Sequence, residues 1–242
     1  MKRRGFLAAC TTMLAPRAVL AQAVVEMMRF SALRPGAALP DGFRHVVLSS
    51  TKRETEYTLV DDGGRTVLRA RANASGSGIV REIRIDPHRH PLLAWQWKVM
   101  RVLEKGDLRT RAGDDYAARL YVTFDVAPES LSTSERLQLS LARMVHGSDV
   151  PAAALCYVWD TKAAPGTIAP NAFTDRVRMI VVDSGAAEAG RWRLHERNIP
   201  ADYRAAFGVD APAINSVIVS TDTDNTGETA EAYYGDVEFR AR

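Results

Sequence analysis

The chain has 242 residues, 46% of them hydrophobic and 25% charged, proportions that exclude a disordered or low-complexity protein and leave ample material for a core. Its formal net charge is +3, yet Lys2, Arg3, Arg4 and Arg17 all fall within the first 23 residues. Taking those four from the 32 basic residues leaves 28 against 29 acidic ones, a net of −1 that gives no electrostatic case for nucleic acid or an anionic membrane as partner.

Residues 1–23 combine a basic head, a short apolar run and small residues at Ala21 and Ala23, the marks of a secretory signal cut between those two alanines. Arg3-Arg4-Gly5-Phe6-Leu7 resembles the twin-arginine export signal, so the expectation is a signal peptide over 1–23, a single domain over 24–242, and a periplasmic or secreted protein. Leu7-Ala8-Ala9-Cys10 also fits the pattern before a lipid-modified cysteine, but the apolar run ahead of it is too short for a signal core. With Cys10 removed, Cys156 stands alone in the apolar run AAALCYVW and reads as a buried thiol with no disulfide partner. No later run approaches the roughly 18 apolar residues of a membrane span.

Short strands are expected over Phe43–Ser49, Glu56–Asp61, Arg65–Ala72 and Ile79–Ile85, separated by turn chemistry such as Asp62-Gly63-Gly64. From Leu92 to Asp125 two further strands flank an acidic, glycine-marked loop. Leu93, Trp95, Trp97 and Val99 share one face of the first, Leu120, Val122 and Phe124 one face of the second; Gln96, Lys98, Arg119, Tyr121 and Thr123 fall on the opposite faces. Ser132 to His146 reads as a helix, with Ser132 and Glu135 as a capping box and Leu137, Leu141, Met144 and Val145 on one stripe. Strands follow over Ala153–Trp159, Arg176–Asp183 and Arg191–Arg197, with Thr161 to Asn171 as a loop. A short helix over Pro200–Phe207 ends at Gly208, and Ile214–Thr221 and Ala230–Arg240 read as a closing strand pair. Strands at this spacing with few helices predict an all-β fold with minor helices: an antiparallel β-sandwich, jelly-roll or galactose-binding-like.

Several motifs in order carry a resemblance. Trp95-Gln96-Trp97-Lys98-Val99, Gly113-Asp114-Asp115-Tyr116-Ala117-Ala118-Arg119, Glu196-Arg197-Asn198 with Asp202-Tyr203 and Phe207-Gly208, and Thr221-Asp222-Thr223-Asp224-Asn225 before Tyr233-Tyr234-Gly235-Asp236 resemble the bacterial exported family catalogued as domain of unknown function 3047. The resemblance spans nearly all of the mature chain and implies one exported domain. It implies no activity.

Candidate sites follow from the residues themselves. Asp222, Asp224 and Glu228 alternate with turn residues in a loop whose oxygens suit Ca²⁺, with Asp236 as a further ligand from the last strand, although Asp and Asn are also ordinary turn residues. Trp95 and Trp97 belong to the apolar face and hence to the core, leaving Tyr121, Tyr157 and Trp159 as rings for a sugar-binding surface. An arginine inside an apolar strand needs an acid, so Arg119 is expected to meet one of Asp114, Asp115, Glu196 and Asp222. His88 and His90 sit between prolines and read as an exposed turn. No nucleophile elbow, P-loop, dinucleotide glycine motif or Ser-His-Asp order is present. The expected function is non-catalytic binding of a carbohydrate or other cell-envelope component through Arg119, Tyr121, Tyr157, Trp159, Asp114, Asp115 and Glu196, beside a calcium-stiffened loop. The alternatives are a polysaccharide hydrolase or lyase, whose acids must converge in one cleft, and an envelope interaction module, which needs a contiguous apolar patch.

Overall fold

A computed structural model describes residues 24–47, 52–131, 133–134, 136–137, 139–140 and 151–241. The expected signal peptide, the Ser132 and Glu135 of the expected capping box, and Leu141, Met144 and Val145 of the expected stripe lie outside the described residues; positions 133–134, 136–137 and 139–140 are helical, with Leu137 exposed.

Thirteen strands are described: β1 (Val24–Met28), β2 (Phe43–Val46), β3 (Glu56–Asp61), β4 (Thr66–Asn73), β5 (Gly76–Ile85), β6 (Leu92–Val99), β7 (Arg119–Phe124), β8 (Ala153–Asp160), β9 (Ile168–Pro170), β10 (Val177–Ser184), β11 (Arg193–Asn198), β12 (Ile214–Asp222) and β13 (Thr229–Arg240). They form two sheets packed as a sandwich. The first sheet runs β11-β6-β13-β4-β3, with β1 also on β13, and the second runs β2-β5-β12-β7-β8-β10-β9.

The β6 and β7 strands stand in different sheets, so the acidic loop between them crosses from one layer to the other. One expectation about pairing is corrected: β12 and β13 belong to opposite sheets and are not a closing strand pair. Pairing within the sheets is antiparallel except between β8 and β10, which run parallel, with β9 returning antiparallel on β10 from within the segment expected to be a loop.

Alternation sets the core. Leu93, Trp95, Trp97 and Val99 from β6 meet Leu120, Val122 and Phe124 from β7, Tyr157 and Trp159 from β8, and Phe239 from β13 in one buried cluster between the sheets. Each such large side chain contributes on the order of 2–3 kcal/mol of burial. A second, smaller cluster covers the outer side of β8 and β10, where Leu108 and Tyr116 of the crossing loop pack on Cys156, Val158, Met179 and Val181. Every residue of β8 is therefore buried, on both faces.

The α1 helix (Ile199–Phe207) begins and ends as its sequence predicts. Asn198 Oδ1 accepts the Ala201 N–H at 3.0 Å, Pro200 occupies the first turn, and Gly208 closes the end at φ 77°, a conformation that favours glycine.

Candidate functional site

Arg119 leaves the outer face of β7, opposite Leu120, and is covered there by the loop that brings Asp114 and Tyr116 over the second sheet. Its side chain is 4% exposed, and every nitrogen has a partner. Nε donates to Asp222 Oδ1 at 2.8 Å and Nη1 to the Tyr121 hydroxyl at 3.0 Å. Nη2 donates to the Asp114 carbonyl at 2.5 Å and also pairs with Asp222 Oδ2. The guanidinium lies 4.4 Å from the centre of the Tyr116 ring. The expected cluster of acids and rings thus forms, but it is a sealed structural pin that joins the crossing loop, β7 and β12. Burial removes Arg119 and Asp114 as surface ligand residues, and half-buried Tyr121 has its hydroxyl taken by Arg119.

The acids around the pin converge. Asp115, Asp222 and Asp224 each bring a carboxylate oxygen within 4.8 Å of the others. Burial drives the Asp222 carboxyl up to about 8 against the pull of Arg119, with Asp115 and Asp114 adding to the rise. The remaining charge is met from within the chain. Asp115 accepts the Asn225 N–H at 2.9 Å, the Asn225 amide at 3.0 Å and the Thr226 N–H at 2.6 Å, while Lys52 pairs with Asp224. Gly76 is required beside them, because a Cβ there would land on Asp224 Oδ1.

The other expected metal ligands stand elsewhere. Glu228 caps the Glu104 and Lys105 N–H groups at 3.1 and 2.9 Å, and Asp236 holds Ser31 and Arg65 from the far stretch of β13. The four-ligand set of Asp222, Asp224, Glu228 and Asp236 is therefore not assembled, because strand geometry sends Asp236 to another part of the fold.

Tyr157 and Trp159 are also relocated, into the core. The Tyr157 hydroxyl donates to Asp202 Oδ2 at 2.8 Å, and the same carboxylate accepts Arg197 Nε at 2.8 Å, so β8, α1 and β11 are tied together. Trp159 Nε1 donates to the Gly185 carbonyl at 3.0 Å. Glu196 lies in the other sheet, exposed, paired with Arg240 at 3.2 Å. Asp114, Asp115, Arg119, Glu196 and Asp222 consequently share no cleft, and the arrangement a hydrolase or lyase would need from them is not formed. His88 and His90 sit in the expected turn, where Asp86 Oδ1 accepts the His88 N–H at 2.8 Å.

The polar and aromatic surface occurs on the outer face of the first sheet instead. Lys98 of β6 and Tyr233 of β13 are direct cross-strand partners, and Arg69 of β4 is the next in the row. The Lys98 ammonium lies 4.4 Å from the Tyr233 ring centre and 5.3 Å from that of Trp192, which leads into β11. Asp62, from the turn after β3, fixes the group: it accepts two bonds of 2.8 Å from Lys98 and one of 2.7 Å from the indole N–H of Trp192. The hydrogen bond from Lys98 holds the Asp62 carboxyl below its usual range. Next along the face, Glu231 accepts the Tyr233 hydroxyl and pairs with Arg71 at 2.7 Å. Gly235 lets Gln96 lie against the strand, since a Cβ there would meet the Gln96 side chain. Beyond Glu231 and Arg71 the face opens into a groove of about 540 Å³ that also takes in Arg53, Glu56, Met100 and Arg101.

Sequence reasoning placed Lys98 and Gln96 off the core face but overlooked Trp192 and Asp62. The available signal was Trp192 at the start of an alternating strand, one residue out of phase with inward Arg193 and His195.

Residues 41–238 match the family described as protein of unknown function DUF3047. Among curated proteins none matches. Among solved structures, the family 11 xylanase of Neocallimastix patriciarum is similar at TM-score 0.35 and 10% identity, over 91% of this chain and 96% of that one. A loop-swap mutant of Xyn11A from the same organism is similar at TM-score 0.34, also at 10% identity and with the same coverage.

Proposed function

The chain belongs to the DUF3047 family, and we propose that it is an exported binding domain for carbohydrate, with the outer face of its first sheet as the ligand platform. One observation carries the reading: Trp192 and Tyr233, half-buried, flank Lys98 on the outer face of the first sheet, and Asp62 fixes both the lysine and the indole. Rings held in this way present apolar area to the C–H side of a pyranose at little entropic cost, and Gln96, Arg71 and Glu231 lie beside them for the hydroxyls. A partner protein is favoured less. The exposed large apolar side chains among the described residues, such as Leu137, Phe173, Leu194 and Val209, come from separate segments of the chain.

Calcium is not required by this reading. An ion at Asp222 and Asp224 would displace Lys52 and share Asp222 with Arg119.

Affinity electrophoresis of the mature chain in gels cast with a panel of soluble polysaccharides tests the proposal. Retardation by at least one polymer, lost in Trp192→Ala, is expected. Unretarded migration throughout the panel, or retardation that survives loss of both Trp192 and Tyr233, sinks it.

A further inference from the structure

At the open side of the sandwich, between edge strand β2 of the second sheet and edge strand β3 of the first, three side chains stand in a relay that nothing above uses. His45 Nε2 is 2.7 Å from Ser77 Oγ, and His45 Nδ1 is 3.2 Å from Glu54 Oε2. With Nδ1 carrying its proton beside the Glu54 carboxylate, the Nε2 lone pair faces the serine and the Ser77 hydroxyl donates into it. That is the direction of proton flow a general base needs.

The serine is held from both sides. The Thr55 N–H donates to Ser77 Oγ at 2.9 Å, a bond that favours the oxygen when it loses its proton. The Tyr57 hydroxyl donates to the Ser77 carbonyl at 2.6 Å, and the His45 ring meets the Tyr57 ring edge-on at 5.6 Å. Thr55 is anchored in turn through its own hydroxyl to the Thr221 carbonyl at 2.8 Å. Burial is graded along the relay: Ser77 is 5% exposed, the His45 side chain 34% and that of Glu54 59%. A hydroxyl needed only for packing would be satisfied by Thr55, whose N–H donates to it and whose carbonyl lies 3.5 Å from it as an acceptor, and would not require a histidine beside a carboxylate at the surface.

We infer that Ser77, His45 and Glu54 form a nucleophilic acyl-transfer site that takes a small carboxylic ester of an exposed alcohol. A nucleophile, a base and an orienting acid define such a site by geometry and not by their order in the chain. Ser77 Oγ bonds to the ester carbonyl carbon while its proton passes to His45 Nε2. The C–O bond to the alcohol then breaks, and the departing oxygen takes that proton, leaving acyl-Ser77. Water repeats the sequence, giving one proton to Nε2 and its oxygen to the acyl carbon, and Ser77 recovers its proton as the acid leaves. The class of ester follows from burial: the hydroxyl lies beneath Tyr57 and Thr55, so the acyl part must be small and the alcohol must remain outside.

Labelling with a fluorophosphonate probe, followed by peptide mass spectrometry, needs no carbohydrate and so is read independently of the platform. A single adduct on the peptide containing Ser77 is expected, absent from Ser77→Ala. His45→Ala should slow labelling by about 100-fold or more, and Glu54→Gln by about tenfold, since its carboxylate only orients the ring. Hydrolysis of p-nitrophenyl acetate should fall in the same order. His45 lies on an exposed edge, so its variant decides the matter even where Ser77→Ala fails to fold. No adduct on wild-type protein that melts cooperatively, an adduct elsewhere, or equal labelling of wild type and His45→Ala would each overturn the assignment.

Discussion

Arg119 Nε donates to Asp222 Oδ1 across 2.8 Å, and this bond joins neighbouring strands on the covered side of the second sheet. Because the guanidinium also holds the Asp114 carbonyl and the Tyr121 hydroxyl, it fixes the crossing loop as well. Arg119→Met should destabilise the fold by about 3–5 kcal/mol, because it leaves buried acceptors without a donor. Arg119→Lys should recover only part of that, since one ammonium cannot span all these acceptors. Urea unfolding followed by tryptophan fluorescence measures both.

The same pair sets a pH dependence. The Asp222 carboxyl lies near 8 in the fold against an ordinary 3.8, so the folded chain holds a proton there that the unfolded chain releases. The stability contributed is complete below the unfolded value and is lost as pH rises through about 8. Melting temperature should therefore fall from about pH 4 to about pH 8 and level off above it, and Asp222→Asn should flatten that slope.

Tyr116 gives a prediction of opposite sign. Its hydroxyl is buried with no hydrogen-bond partner among the described residues, and burial holds its ionisation well above the usual tyrosine range. Tyr116→Phe keeps the ring against Arg119 and removes the unpaired oxygen, so stability should be unchanged or raised by up to about 1 kcal/mol. A clear loss would mean that the hydroxyl has an acceptor this structure does not contain.

On the platform, Trp192→Ala and Tyr233→Ala should each weaken polysaccharide binding by about tenfold or more, equivalent to about 1.4 kcal/mol, with melting temperature nearly unchanged. Asp62→Asn should weaken binding less, by loosening the lysine and indole. Titration calorimetry of purified variants separates the three.

Calcium supplies a further check. With Lys52 and Arg119 already on Asp224 and Asp222, millimolar Ca²⁺ should leave the melting temperature of chelator-treated wild-type protein unchanged. A rise of several degrees would place an ion at Asp115, Asp222 and Asp224 after all.

Alternation located the strands and their inward faces correctly, because a period of two is local: Trp95, Trp97, Leu120 and Phe124 all point where the pattern sends them. Arg119 was rightly set opposite Leu120 and rightly matched to an acid. What the pattern cannot carry is what lies over the other face. On β7 and β8 that face is roofed by the loop bearing Tyr116 and Leu108, whereas on β6 and β13 residues such as Gln96, Lys98 and Tyr233 stay half-exposed, and both cases read the same along the chain. Tyr157 and Trp159 were misjudged for this reason, since a strand buried on both sides gives no preference for either. The pairing of His45 with Ser77, 32 residues apart in the chain, leaves no local mark at all.

The β13 strand lies between β6 and β4 in the first sheet and also carries β1, yet it follows every other strand in the chain. While the polypeptide is still leaving the ribosome, β4 and β6 have nothing to bridge them, and their apolar sides await a partner not yet translated. Closure of that layer is thus deferred until synthesis has passed Arg240, and any stall or clipping before then leaves β4 and β6 unbridged.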